Sequence, residues 1–309
     1  MRGIVVKATG VAIPDKVVTN EDLAARLDTN DEWIVERTGI KERRIGGTTS
    51  GLAADAARMA LVRAGREPRD VDALVLATTT PEATAPPTAC TVQALLGMPG
   101  GAAFDLNAAC SGFMFGLRVG AGLVATGATR VLVVGSDTLS RITDWDDRKM
   151  AVLVGDGAGA VLLEAVDGPG NMLSDNLYSD GTLRHLLSCD IGGYLEMEGK
   201  ELFKRAVRVV VDSTMQAMRD ANVSADDIAM FVPHQANLRI IQAVCKRIGI
   251  PEERTASVID RYGNTSAASV PTALDHVVNR GEVNNGDLVL LSGFGGGMTW
   301  SSAVLRWGQ

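Results

Sequence analysis

Cysteine is scarce in this chain. Four residues in 309, Cys90, Cys110, Cys189 and Cys245, lie far apart and form no C-x-x-C pair. A disulfide framework and a cysteine zinc site are both poor readings. Histidine is rarer still: His185, His234 and His276 show no ligand spacing, so no metal is expected. Positive charge is in deficit, 30 Lys and Arg against 37 Asp and Glu, which argues against nucleic acid as a partner. No apolar run reaches membrane-spanning length. The opening Met1 to Lys7 is too short for a secretory signal. A reduced, soluble, cytoplasmic protein is the expectation. Aromatic residues are only 4%, whereas glycine supplies 34 residues, so backbone is expected to pack closely on backbone.

The apolar runs alternate in type. Val71 to Thr78 and Arg130 to Gly135 read as strands buried on both faces. Ser50 to Gly65, Cys90 to Leu96 and Phe113 to Gly127 read as helices. The second half repeats the scheme, with strands at Ile228 to Pro233, Ala256 to Asp260 and Asp287 to Leu291. Its helices are Leu238 to Ile248 and Ser269 to Asn279. This is an α/β chain. The halves read as copies of one unit: strand, helix, strand, small-residue corner, helix, apolar strand. The corners are Ala108-Ala109-Cys110-Ser111-Gly112 and Gly263-Asn264-Thr265-Ser266-Ala267-Ala268. No Pro- or Ser-rich linker intervenes, so one compact unit is expected, with halves 1–166 and 167–309. A pseudo-twofold would place Cys110 and Asn264 at equivalent helix N-termini.

Cys110 is the first candidate for chemistry. A thiol at a strand-to-helix corner meets unpaired N–H groups and the helix dipole, which favour thiolate. Thiolate is the nucleophile of covalent acyl transfer; the plainer reading is a small buried space-filler. His234, in Pro233-His234-Gln235-Ala236-Asn237, follows a strand end, where α/β proteins bind ligands. Asn264 also reads as an ordinary turn residue. Two glycine runs, Gly155 to Ala160 and Phe294 to Gly297, end in neither a phosphate-loop Lys nor a helix. They read as tight turns between adjacent strands that bring N–H groups close to a thioester oxygen.

With these motifs the chain resembles the β-ketoacyl-acyl-carrier-protein synthase III family of the thiolase superfamily. The matching stretches are Asp31 to Ile40, Ala108 to Gly112, Gly155 to Ala160, His234 to Asn237, Gly263 to Ala268 and Phe294 to Gly297, in family order. The resemblance implies a five-layered αβαβα fold, a homodimer and a triad matching Cys110, His234 and Asn264. It implies a ping-pong reaction of an acyl-CoA primer with malonyl-acyl-carrier protein, and no cofactor. The acyl oxyanion would sit on the N–H groups of Cys110 and Gly296. Trp33, Arg37 and Arg148 would hold the nucleotide of CoA, and Thr29, Phe203, Asn237 and Ile240 its pantetheine arm.

Departures from the family pattern are Lys149, Lys200, a short Ser179 to Met197 stretch and, near the acyl pocket, Pro86 and Val154 in place of bulk. The last two imply a primer longer or more branched than acetyl. Arg239, Lys246 and Arg247 share one helix face and, with Lys204, would form a basic docking rim for an acidic carrier. The same triad also fits a starter-unit ketosynthase of a polyketide pathway. A Cys-His-Asn hydrolase lacks the duplicated core, and a non-catalytic CoA-binding homologue has no use for the triad.

Overall fold

The computed structural model describes residues 2–308. Its strands are β1 (Arg2–Ala12), β2 (Val17–Thr19), β3 (Glu42–Arg44), β4 (Ala73–Ala77), β5 (Ala102–Leu106), β6 (Arg130–Thr138), β7 (Asp156–Asp167), β8 (Met172–Ser179), β9 (Leu187–Ser188), β10 (Glu196–Met197), β11 (Ile228–Pro233), β12 (Leu288–Gly295) and β13 (Thr299–Arg306). Its helices are α1 (Asn20–Ala24), α2 (Asp31–Thr38), α3 (Thr49–Ala64), α4 (Thr88–Leu96), α5 (Gly112–Ala125), α6 (Arg148–Ala151), α7 (Gly199–Asp220), α8 (Leu238–Ile248), α9 (Ile259–Tyr262) and α10 (Ser269–Asn279).

Two sheets carry the molecule, one in the order β1-β7-β6-β4-β5 and one in the order β11-β12-β13-β8. β4 runs parallel to β5 and β6, and β11 parallel to β12. Between the sheets lie α5, against β4, β6 and β12, and α10, against β1, β7 and β11. Outside the first sheet lie α3 and α4; outside the second lie α7 and α8. The result is five layers, αβαβα. Sheets covered on both faces demand apolar residues on both faces. Val131 and Val133 of β6 thus face the middle layer, while Leu132 and Val134 face α3. In β12, Val289 and Leu291 point inward, and Leu288 and Leu290 toward α7 and α8. Each of these β6 leucines and valines is fully buried. Removing one such leucine side chain costs about 2–5 kcal/mol.

The small residues do what their number implies. A Cβ on Gly135 of β6 would lie 2.2 Å from the carbonyl oxygen of Ala267. No larger residue lets the corner of the second half sit so close to the first sheet. Among the described residues no helix is long and apolar enough to cross a membrane.

Two sequence expectations need correction. The strand foreseen at Ala256 to Asp260 does not form. Ala256 N–H bonds Phe231 C=O, but the Gln235 amide then takes Ala256 C=O and Val258 N–H. The chain turns off the sheet and enters α9 at Ile259. The run Gly155 to Ala160 is not a turn either. From Asp156 on it is β7, paired with β6 and β1 on its two sides. The run Phe294 to Gly297 ends β12 with Phe294 and Gly295 and enters the hairpin turn to β13 at Gly296.

Candidate active site

Cys110 stands on a single 3-10 turn, Ala109–Ser111, at the foot of α5. The chain reaches it through a positive φ at Ala109, 49°, and the Asn107 side chain accepts the Ala109 N–H at 3.0 Å. The second half repeats this device. Ser266 has φ 52°, its N–H donates to Asn264 Oδ1 at 2.9 Å, and the turn Ser266–Ala268 leads into α10. In that register Asn264 is the counterpart of Asn107, and Ala267 that of Cys110. The expected equivalence of Cys110 and Asn264 is therefore off by three residues. Each corner has an Asn that opens the turn, and the third residue beyond it stands in the middle of the turn that leads into the helix. The two corners pack against each other.

His234 follows β11, fully enclosed at 3% exposure. Its N–H bonds Ser292 C=O of β12, its Nδ1 lies 2.5 Å from Ser269 Oγ, and the Phe294 ring meets it edge-on at 5.1 Å. Asn264 is anchored on both sides by backbone bonds to Leu153 and Gly155. Since a backbone N–H holds its Oδ1, the amide nitrogen is the atom left to donate.

Cys110, His234 and Asn264 line one cavity of about 540 Å³. Trp33, Arg37, Phe203, Asn237 and Ile240 line it too, as do Lys149, Lys200, Lys204 and Arg239. Carboxylates are absent from the lining, so the walls are apolar and cationic. The Asn237 amide is committed within the protein: it donates to Arg37 C=O and accepts the Arg239 N–H as the cap of α8. It offers the cavity a wall rather than a free amide.

The other sequence candidates fall outside the lining. Arg148 reaches the site through Trp33: its guanidinium lies 4.8 Å from the ring centre and that of Arg37 4.5 Å. Asp28 holds Arg148 from behind. Thr29 is in the turn between α1 and α2, with a buried hydroxyl that has no partner among the described residues. Gly296 is one residue beyond the lining residue Gly295. A Cβ on Gly295 would lie 2.5 Å from the Cys110 nitrogen, so the hairpin is pressed against the Cys110 N–H. Pro86 is exposed on the loop before α4. Val154 is buried with Leu139 and Met150, and its backbone pairs with Asn264. Lys246 and Arg247 are exposed at the far end of α8.

Burial dominates the electrostatics. It pushes the Cys110 thiol up to about 11, against the pull of the Ser266 hydroxyl at 3.5 Å. Nearby Asp137 pushes it the same way as burial. Cys110 therefore rests as a thiol, not as the standing thiolate that a helix N-terminus alone suggests. Burial also pushes His234 down to about 3, so its ring is neutral and one nitrogen carries one proton.

Asp137 was not legible as a site residue. It is fully buried at the end of β6. Its carboxylate takes hydrogen bonds from Thr78, Thr79 and Thr80, and from the Ala267 N–H of the other half. The signal was there in the sequence: an acid ending an otherwise apolar strand. Ser266 stands in a quoted motif, but only the fold brings its hydroxyl to the thiol.

A duplicated αβαβα core with a buried Cys, a neutral His and an Asn facing one apolar, cation-rimmed tunnel defines a thiolase-like condensing acyltransferase. Family models agree: one described as 3-oxoacyl-[acyl-carrier-protein (ACP)] synthase III matches residues 104–181, and its C-terminal companion matches 218–307. The β-ketoacyl-[acyl-carrier-protein] synthase III of Sinorhizobium medicae is 48% identical over 98% of this chain and 99% of its own. The solved 3-oxoacyl-[acyl-carrier-protein] synthase III of Aquifex aeolicus superposes with TM-score 0.97 at 44% identity, covering 99% of this chain and 100% of that one. The priming β-ketosynthase of the R1128 polyketide pathway is also similar, with TM-score 0.94 at 36% identity, over 99% and 96%. The chain belongs to the 3-oxoacyl-[acyl-carrier-protein] synthase III family.

Proposed function

We propose that the protein is the initiating condensing enzyme of a dissociated fatty acid synthase. It joins an acyl-CoA primer to malonyl-acyl-carrier protein, releases carbon dioxide, and yields 3-oxoacyl-acyl-carrier protein. The observation that carries this reading is the enclosure of Cys110, His234 and Asn264 in one cavity whose mouth is cationic. The synthases of Sinorhizobium medicae and Aquifex aeolicus, at 48% and 44% identity, are more similar in sequence than the polyketide priming enzyme at 36%. That favours fatty acid synthesis over the polyketide alternative.

In this reading CoA enters with its adenine against Trp33 and its phosphates near Arg37 and Arg148. Cys110 Sγ attacks the thioester carbonyl, the oxyanion is held by the N–H groups of Cys110 and the Gly295–Gly296 turn, and CoA leaves as the thiol. Malonyl-carrier then fills the same tunnel. His234 Nε2 and Asn264 Nδ2 donate to its thioester oxygen, which becomes the enolate oxygen as carbon dioxide departs. In a dry site each such donor is worth about 3 kcal/mol. The carbanion attacks acyl-Cys110, and the thiolate leaves and is reprotonated. No step calls for a metal or an organic cofactor.

Lys204 and Arg239 at the mouth, with Lys246 and Arg247 further along α8, form the docking face for the acidic carrier. A second copy of the chain is inferred along β5. Among the described residues that strand pairs only with β4, and its Phe104 and Leu106 are half-buried. Pro86, exposed in one copy, would then close the acyl pocket of the other. The test is a panel of acyl-CoAs offered with malonyl-carrier, products read by mass. The expected product is the 3-oxoacyl-carrier two carbons longer than the primer. Free acid released from the acyl-CoA without condensation would instead mark a hydrolase.

A further inference from the structure

We propose that Ser269 is a positioning residue that sets the tautomer of His234, keeping its single proton on Nε2. The proposal rests on the functional reading above only for the use made of that proton. Ser269 opens α10 and is buried, at 1% exposure. Its Oγ lies 2.5 Å from His234 Nδ1 and 3.3 Å from the Gln235 nitrogen. A hydroxyl gives one proton and accepts on two lone pairs. The Gln235 N–H can only donate, so it occupies a lone pair. Among the described residues no other acceptor lies within hydrogen-bond distance of this oxygen. The hydroxyl proton therefore goes to Nδ1. Were Nδ1–H the donor, Ser269 would accept twice and leave its own O–H unpaired in the core, the costlier arrangement.

The ring is neutral, because burial holds it there. A neutral imidazole that accepts at Nδ1 carries its proton at Nε2. Nε2 has no protein partner among the described residues, while the ring lines the cavity. The relay runs in one sense, from Gln235 N–H to Ser269 O–H to His234 Nδ1, and ends in an N–H donor at the cavity. The opposite tautomer would turn a lone pair toward the thioester oxygen and repel the enolate. Phe294 packs edge-on to the ring. A half-turn of the ring would replace Nδ1 by a carbon and forfeit the Ser269 bond.

Nitrogen NMR of the protein labelled at histidine tests this directly, with His234 assigned by its loss in His234→Gln. The expected wild-type spectrum at neutral pH has a protonated Nε2 and a bare Nδ1. A proton on Nδ1 would overturn the proposal. In a second arm, Ser269→Ala should lower the rate of malonyl-thioester decarboxylation by about ten- to a hundredfold, the usual range for a group that orients an imidazole ligand or base. KM should change little, and acylation of Cys110 should stay within about twofold, as expected for a group that acts in one half-reaction only. Ser269→Thr, which keeps the hydroxyl, should recover most of the loss. Decarboxylation by Ser269→Ala at the wild-type rate would sink the role. If the wild type itself fails to decarboxylate malonyl thioester, the functional reading fails, and the NMR result still decides the tautomer.

Discussion

The corner at Cys110 and the corner at Ser266 share a backbone and carry different side chains. Both begin with an Asn that accepts an N–H two residues on, pass through a positive φ, and start a helix of the middle layer. In one corner the third residue after the Asn is Cys110; in the other it is Ala267, and the opening Asn264 itself lines the cavity. Asn107, its counterpart, is exposed away from that lining. Two equivalent turns are thus present, and in the proposed reading three side chains divide the labour: the first half captures the acyl group, and the second, with His234 added from β11, makes the carbanion.

The largest break in that division is Cys110→Ser. Condensation should fall by about a thousandfold or more, with thermal stability close to wild type, since the replacement is nearly isosteric. Residual turnover within tenfold of wild type would remove Cys110 from its role.

Next in size is Gly295→Ala, a change in the second half that presses on the Cys110 corner of the first. Its Cβ would sit 2.5 Å from the Cys110 nitrogen, forcing the hairpin away from the nucleophile. A loss of about 1–3 kcal/mol in stability is expected, together with a clear drop in acylation. Unchanged acylation kinetics would show that the close approach has no catalytic use.

A pH series separates the halves by titration. Because burial raises the Cys110 thiol to about 11, alkylation of Cys110 should climb steadily from pH 7 to 10. A plateau below pH 7 would mean a standing thiolate. His234 titrates in the other sense. Its folded value lies below its unfolded one, about 3 against 6.5. The stability from holding it neutral is therefore present above pH 6.5 and is lost as pH falls toward 3. Urea midpoints of wild type and His234→Gln, compared at pH 7 and 5, should converge at the lower pH. A gap that widens on acidification would contradict the sign.

The smallest effect concerns the rim. Arg239→Glu with Lys246→Glu should raise KM for malonyl-carrier at low salt several-fold, and acylation by a neutral acyl-pantetheine should change less. Equal effects on both substrates would mean the charges serve the tunnel rather than the carrier.

Much of this was legible beforehand. The apolar runs of β4, β6 and β12 declare sheets buried on both faces, and the ordered motifs around Cys110, His234 and Asn264 declare the site. What escaped reading depends on contacts between distant segments. The Gln235 amide diverts Ala256 to Val258 from the sheet, which no local pattern reveals. The three-residue offset between Cys110 and Asn264 follows from the two Asn-led turns, whose identity shows only in their hydrogen bonds. Thr29 and Asn237 carry family signals, yet the first lies outside the cavity and the second spends its amide on capping α8. Burial overrode the helix end in setting the Cys110 thiol.

The division of labour is tested most directly by a single experiment on His234→Ala and Asn264→Ala. Each variant is loaded with acyl-CoA, acyl-Cys110 is counted by peptide mass, and carbon dioxide release from malonyl-carrier is then timed. Substantial acyl-Cys110 with carbon dioxide release slowed by about a hundredfold or more is the expected result. Variants that release carbon dioxide at the wild-type rate, or that fail to form acyl-Cys110, would contradict the account.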